Sequence, residues 1–81
     1  MHLLKELIEV LAKSLVDNPQ SVVVNETLDQ DLIDLELIVA SEDMGKVIGK
    51  QGRIAKAIRT VLKAAATKEN KRATLEIVNK P

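Results

Sequence analysis

The chain has 81 residues, 46% hydrophobic and 30% charged, with twelve basic side chains balanced by twelve acidic ones. This fits one small globular α+β domain, residues 1–81, with a modest core. The lack of cysteine excludes disulfide and thiolate chemistry, the lack of any run of about 18 apolar residues excludes a membrane-spanning helix, and the lack of Phe, Trp and Tyr excludes aromatic base stacking.

Leu3, Leu4, Leu7, Ile8, Leu11 and Leu15 recur at helical spacing and predict an amphipathic helix to about Val16, ended by Asp17, Asn18 and Pro19. Lys5, Glu6 and Glu9 interrupt this stretch, so it does not read as a secretory leader, and an intracellular, cytoplasmic location is expected. Ser21 to Leu28 is β-branched and alternating, with Val22, Val24 and Glu26 on one face and Val23, Asn25 and Thr27 on the other, which predicts a strand. A turn at Asp29 to Asp31 leads to a second strand, Leu32 to Ala40, whose Ile33, Leu35, Leu37 and Val39 share a buried face; the two should pair as an antiparallel hairpin.

Ser41 is suited to cap the next helix, and Glu42 and Asp43 suit its positive end. This helix should be short, ending near Gly49. After Gly52 a longer helix presents Ile54, Ala55, Ala57, Ile58, Val61, Leu62, Ala65 and Ala66 on a broad apolar face, with Arg53, Lys56, Arg59 and Lys63 opposite. Lys68 to Lys71 forms a polar turn, and Ala73, Leu75 and Ile77 alternate with Thr74, Glu76 and Val78 in a third strand. The predicted order is αββααβ.

All three glycines, Gly45, Gly49 and Gly52, lie within eight consecutive positions, at the start of a strongly basic region. Residues 1–43 carry ten acids against two bases, a net charge of −8, whereas residues 44–72 carry nine bases against one acid, a net charge of +8. Glycine lets a phosphate approach backbone amides closely, and a helix start near Arg53 and Ile54 offers N–H groups without partners in the helix and a partial positive charge. Lys50 adds a full charge. A basic segment centred on such a loop is the electrostatic footprint of nucleic-acid backbone binding. The same glycines also fit a purely structural helix-to-helix turn; the charge distribution favours the binding reading.

The string VIGKQGRIAKAIR, from Val47 to Arg59, resembles the signature of the KH domain, whose GXXG loop joins two helices and clamps a nucleic-acid backbone. A helix and strand preceding a βααβ core is similar to the bacterial type II variant. That resemblance implies a three-stranded mixed sheet with helices packed on one face, its central strand Leu32 to Ala40 running parallel to the last strand. Length and sequence around the loop are most similar to the KhpA family of short bacterial proteins built on a single KH domain. Ala55 stands where many KH signatures place Ile, and Ile54 and Ile58 are read as filling that space.

The resemblance further implies that four nucleotides of single-stranded RNA or DNA lie over Gly49, Lys50, Gln51 and Gly52; nothing in the residues distinguishes the two, and RNA is preferred on the resemblance alone. Their bases would turn toward Val47, Ile48, Ile54 and Ile58, and Lys46, Arg53, Lys56 and Arg59 would supply charge. It also implies a homodimer or a heterodimer with a larger, KhpB-like KH protein, and a role as an RNA chaperone in RNA-level control linked to cell elongation and envelope growth. Lys63, Lys68, Lys71 and Arg72 read as a solvated face.

Other chemistries fit less well. Asp29, Asp31, Asp34 and Glu36 lack the glycine and spacing of a calcium loop, so no metal is expected. Gly45 to Lys50 lacks both the spacing and the Ser or Thr of a Walker A loop. With no cysteine and a single histidine, His2, near the end of the chain, no catalytic constellation forms, and neither enzymatic activity nor a cofactor is expected. The rival reading is a protein interaction module that keeps the KH-like fold for partner binding.

Overall fold

A computed structural model describes residues 3–80 of the chain and, at Lys50, the backbone alone. Helix α1 (Leu3–Leu15) is followed by a 3-10 turn (Pro19–Ser21), strands β1 (Val23–Asp29) and β2 (Leu32–Val39), helix α2 (Ser41–Lys68) and strand β3 (Arg72–Asn79). The sheet order is β1-β2-β3. β1 pairs antiparallel with β2, Asp29 opposite Leu32, around a turn in which Gln30 takes a φ of 54°. β2 pairs in parallel with β3, from Leu32 opposite Arg72 to Val39 opposite Asn79. The expected α+β class, the mixed three-stranded sheet and the parallel partner of the central strand are all present. His2 lies outside the described residues.

Alternation decides which face of the sheet the helices cover. Ile33, Leu35, Leu37 and Val39 of β2 are buried, with Leu37 and Val39 fully enclosed, and Ala73, Leu75 and Ile77 of β3 pack against the same core. The opposite face carries Asn25, Thr27, Asp34, Glu36, Thr74 and Glu76, and lines a cleft of ≈ 440 Å³. It is stitched by hydrogen bonds from Asn25 to Glu36 and from the Thr74 hydroxyl to Asp34. The helices therefore form a single layer against one side.

Two expectations about α1 and α2 need correction. The inward face of α1 is Leu4, Ile8 and Ala12, with Val16 just beyond, whereas Leu3 and Leu15 at the margins of the leucine stripe are exposed. Ser41 is not the cap of α2. Ala40 occupies that position with extended backbone and no side-chain cap bond, and Ser41 is the first, exposed, helical residue. The strong polar interaction there comes from Asp43, which is 1% exposed. Its carboxylate accepts from the backbone N–H groups of Asp17 (3.1 Å) and Asn18 (3.0 Å) and from the Asn18 side-chain amide (3.3 Å). A buried carboxylate is tolerable only when hydrogen bonds replace its hydration, and these three also satisfy the amides just beyond the end of α1.

α2 contains one discontinuity. Gln51 and Gly52 both lie in the left-handed region, with φ of 65° and 68°, so the axis is reset between residues 41–50 and residues 53–68. The two expected helices are thus two halves of one helical segment. Gly49 and Lys50 remain helical, and the reversal is confined to two residues rather than a four-residue loop. In the second half Ala55, Ile58, Leu62 and Ala66 are buried, while Ala57 and Val61 are exposed, so the buried stripe is narrower than the apolar one.

A Cβ added at Gly49 or Gly52 would meet no heavy atom within 4 Å. Gly52→Ala is therefore expected to lower the unfolding free energy by about 1 kcal/mol through backbone strain alone, while Gly49→Ala raises it by up to about 1 kcal/mol through helix propensity. Chemical denaturation separates the two; losses of equal size would contradict this backbone geometry. Asp43→Ala is expected to cost about 2 kcal/mol, because it leaves the part-buried N–H donors of Asp17 and Asn18 without their acceptor. A loss below about 0.5 kcal/mol, the scale of an ordinary surface change, would show that the Asp43 contacts do not hold the fold.

Candidate nucleic-acid interface

Beside the break in α2 the two helical halves leave a cleft of ≈ 250 Å³ lined by Gly45, Lys46, Gly49, Arg53 and Ile54. Each member reaches it for a local reason. Gly45 and Gly49 are one turn apart on the first half and present backbone instead of side chain, Arg53 is the first residue past the left-handed pair, and Ile54 is half-buried beneath it. Gln51 is exposed at the apex, and Ile48 is 46% exposed. Lys46 lies 3.2 Å from the Asp17 carboxylate in an exposed ion pair. Such a pair contributes little in water, so the ammonium remains available to a competing anion.

Val47 and Ile58 are each 1% exposed and belong to the hydrophobic core. They hold the two halves of α2 against the sheet and present no surface to a ligand. Ala55, at the position where Ile is common, is itself buried in the same core as Ile58, and Ile54 packs against that core and lines the cleft. Of the four apolar candidates, therefore, only Ile48 and Ile54 face outward.

From the break, Arg53, Lys56, Arg59 and Lys63 follow one another along α2 at spacings of three and four, making one basic stripe; Arg53, Lys56 and Lys63 are exposed and Arg59 is half-buried. Arg59 is half-buried because its guanidinium reaches across to β3, where Nη2 donates to the Leu75 carbonyl at 3.4 Å. Around that contact lies a cleft of ≈ 220 Å³ lined by Arg59, Leu62, Lys63, Ala73, Thr74 and Leu75. It runs into a second, of ≈ 360 Å³, that shares Lys63, Ala73 and Thr74 and adds Lys71 and Arg72. Together they form one groove between the second half of α2 and the edge of the sheet.

That edge is a row of main-chain donors and acceptors. The Arg72 N–H donates to the Asp31 carbonyl at 2.9 Å and the Lys80 N–H to the Val39 carbonyl at 2.8 Å. The alternation of a parallel ladder then turns the main-chain groups of the even-numbered residues of β3 toward β2, and those of Ala73, Leu75 and Ile77 outward, where no further strand lies among the described residues. Lys63, Lys71 and Arg72, read from the sequence as a solvated face, are exposed, and the pairing of Leu32 with Arg72 brings them to the rim of this groove as well.

Comparison with known proteins agrees with this architecture. A family model described as KhpA/KhpB, KH domain, matches residues 5–77. RNA-binding protein KhpA of Clostridium perfringens is 68% identical over 75 residues, covering 93% of this chain and 100% of that protein. Its namesake from Clostridium acetobutylicum is 67% identical with the same coverage, and that from Aquifex aeolicus is 49% identical over 78 residues, 96% of this chain and 99% of that protein. Among solved structures, Era in complex with MgGDPNP and nucleotides 1506–1542 of 16S ribosomal RNA shares the fold, with a TM-score of 0.70 at 22% identity over 96% of this chain and 30% of that one. The order of elements, the glycine-bracketed break and the match over nearly the whole sequence agree, and the chain belongs to the KhpA/KhpB KH-domain family.

Proposed function

We propose that the protein binds single-stranded RNA, gripping the sugar-phosphate backbone at Gly49 to Gly52 and laying the following bases into the groove between α2 and β3. The observation that carries this reading is the pair of left-handed residues, Gln51 and Gly52, at the head of the basic stripe. They restart a helix just where cationic side chains and side-chain-free backbone meet, which is the arrangement an anion needs. Phosphate contacts would come from the amides around the break and from Lys46, Lys50, Arg53 and Lys56; Ile48 and Ile54 would supply apolar contact to a base. Support for RNA as the ligand comes from relatives that carry the name RNA-binding protein KhpA.

Family membership supports a wider role, and we extend the reading to it. The protein would act in the cytoplasm as an RNA chaperone and post-transcriptional regulator linked to cell elongation and envelope growth. It would work as a homodimer or with a larger KhpB-like KH protein. Among the described residues no helix is long and apolar enough to cross a membrane, and exposed apolar side chains such as Val10 and Val61 leave helix surface for a partner. No step of this role calls for catalysis or a cofactor.

Lys50→Asp combined with Gln51→Asp is expected to abolish RNA binding while leaving circular dichroism and the unfolding midpoint unchanged, since two carboxylates at the apex repel phosphate. Oligonucleotide titration of a folded double variant that still bound as wild type would refute the clamp and leave the interaction-module reading in its place. For the wild type, two to four phosphate contacts predict a slope of log affinity against log salt of about −1.5 to −3. A slope near zero would mean that binding does not run through the backbone. With no aromatic side chain to stack on a base, affinity for a short oligomer should be modest.

A further inference from the structure

We infer that Arg59 sets base selectivity in the groove, disfavouring adenine and cytosine and favouring guanine read through its O6/N7 edge. This inference rests on the RNA-binding reading above and concerns what happens beyond the backbone clamp. The outward main-chain groups of β3 would ordinarily offer each base a paired donor and acceptor, the N–H and the C=O of one residue. A free pair of that kind matches adenine or cytosine, whose ring nitrogen accepts while the adjacent exocyclic amine donates.

In this chain the middle position is already half used. The Leu75 carbonyl accepts from Nη2 of Arg59 at 3.4 Å, and Arg59 and Leu75 line the same ≈ 220 Å³ cleft. What remains for a base there is the Leu75 N–H together with the unspent N–H groups of the guanidinium. The Leu75 carbonyl keeps its second lone pair, but the guanidinium held against it leaves the centre of the groove rich in donors. An adenine or cytosine amine would face another donor and lose its water without replacement, an outcome that costs more than a missing contact. Guanine presents two adjacent acceptors, O6 and N7, to which a guanidinium fork binds in a bidentate manner. Uracil, with one keto oxygen at the corresponding place, should be intermediate.

Neighbouring groups support the assignment. Lys63, the other cation of the cleft, is exposed and carries a flexible point charge, so it attracts phosphate without reading a base edge. Leu62 and Ala73 are apolar, and Thr74 is engaged with Asp34 on the other face of the sheet. Among the side chains lining this cleft, Arg59 alone joins a planar set of donors to a fixed anchor.

The test uses short single-stranded RNAs of identical length that differ only in carrying guanine, adenine, cytosine or uracil at the positions downstream of the clamp. They are titrated with wild type and with Arg59→Lys, which keeps the charge and removes the fork. Wild type should bind the guanine series about tenfold more tightly than the adenine series, the scale of one bidentate contact. In Arg59→Lys that ratio should collapse toward unity, with the freed Leu75 carbonyl now accepting the adenine amine. Replacing guanine by 7-deazaguanine, which lacks the N7 acceptor, should weaken wild-type binding severalfold, a readout that needs no variant to fold. Wild-type binding without base preference, a preference for adenine, or a guanine preference kept in Arg59→Lys would each overturn this assignment while leaving the backbone clamp standing. Failure of wild type to bind any of the oligomers would remove the clamp and this inference together.

Discussion

The parallel pairing of β2 with β3 is the constraint from which the other features follow. A chain leaving the end of β2 must return to the beginning of β3, and the connection here is the 28-residue α2. Straight, such a helix would run about 42 Å, against about 26 Å for the eight-residue strand it must retrace. The molecule measures 34 Å in its longest dimension. The helix therefore has to fold back on itself, and the least disruptive way to do so is a pair of left-handed residues, one of them glycine. The feature that sets a helix start beside side-chain-free backbone is thus also the feature that lets the sheet close, and the glycine-rich junction needs no separate origin.

Charge follows the same division of the chain. The crossover and its margins hold nine of the twelve basic residues, whereas the helix and hairpin before it are acidic. With a net charge of zero the molecule exerts little long-range pull on nucleic acid, yet the exposed ridge of α2 is strongly cationic. The positive potential of such a surface is local to the ridge and falls off within about 10 Å at moderate salt. The open face of the sheet, with Asp34, Glu36 and Glu76, presents the opposite sign.

Most of the architecture was legible because periodicity carries it. Alternation in Leu32 to Val39 announces a strand with one buried face, and the run of glycines marks the junction in α2. What was illegible is of three kinds. The stripe of α1 is apolar across such a wide arc that spacing cannot say which margin is inside, and the small Ala12 does not advertise itself beside six larger apolar residues. Asp43 looks like any acid in a first helical turn, because its true partners lie 25 and 26 residues away. Val47 and Ile58 sit in a motif associated with binding, but the backbone that places their neighbours at the surface turns these two inward. In each case a tertiary contact decides the outcome, and no local pattern encodes it.

The register of the sheet also bears on how the chain acquires its structure. Every residue pair joining β2 to β3 spans 40 positions of sequence, from Leu32 with Arg72 onward. The hairpin, by contrast, closes through a two-residue turn. As the polypeptide leaves the ribosome, α1 and the hairpin can assemble early, but β2 is then an edge strand whose apolar face is only half covered. Its completion waits for the final eight-residue strand, and contacts of such separation form slowly. The interval between these two events is the chain's period of greatest exposure to misassociation, since an uncovered hydrophobic edge is a template for pairing with another chain.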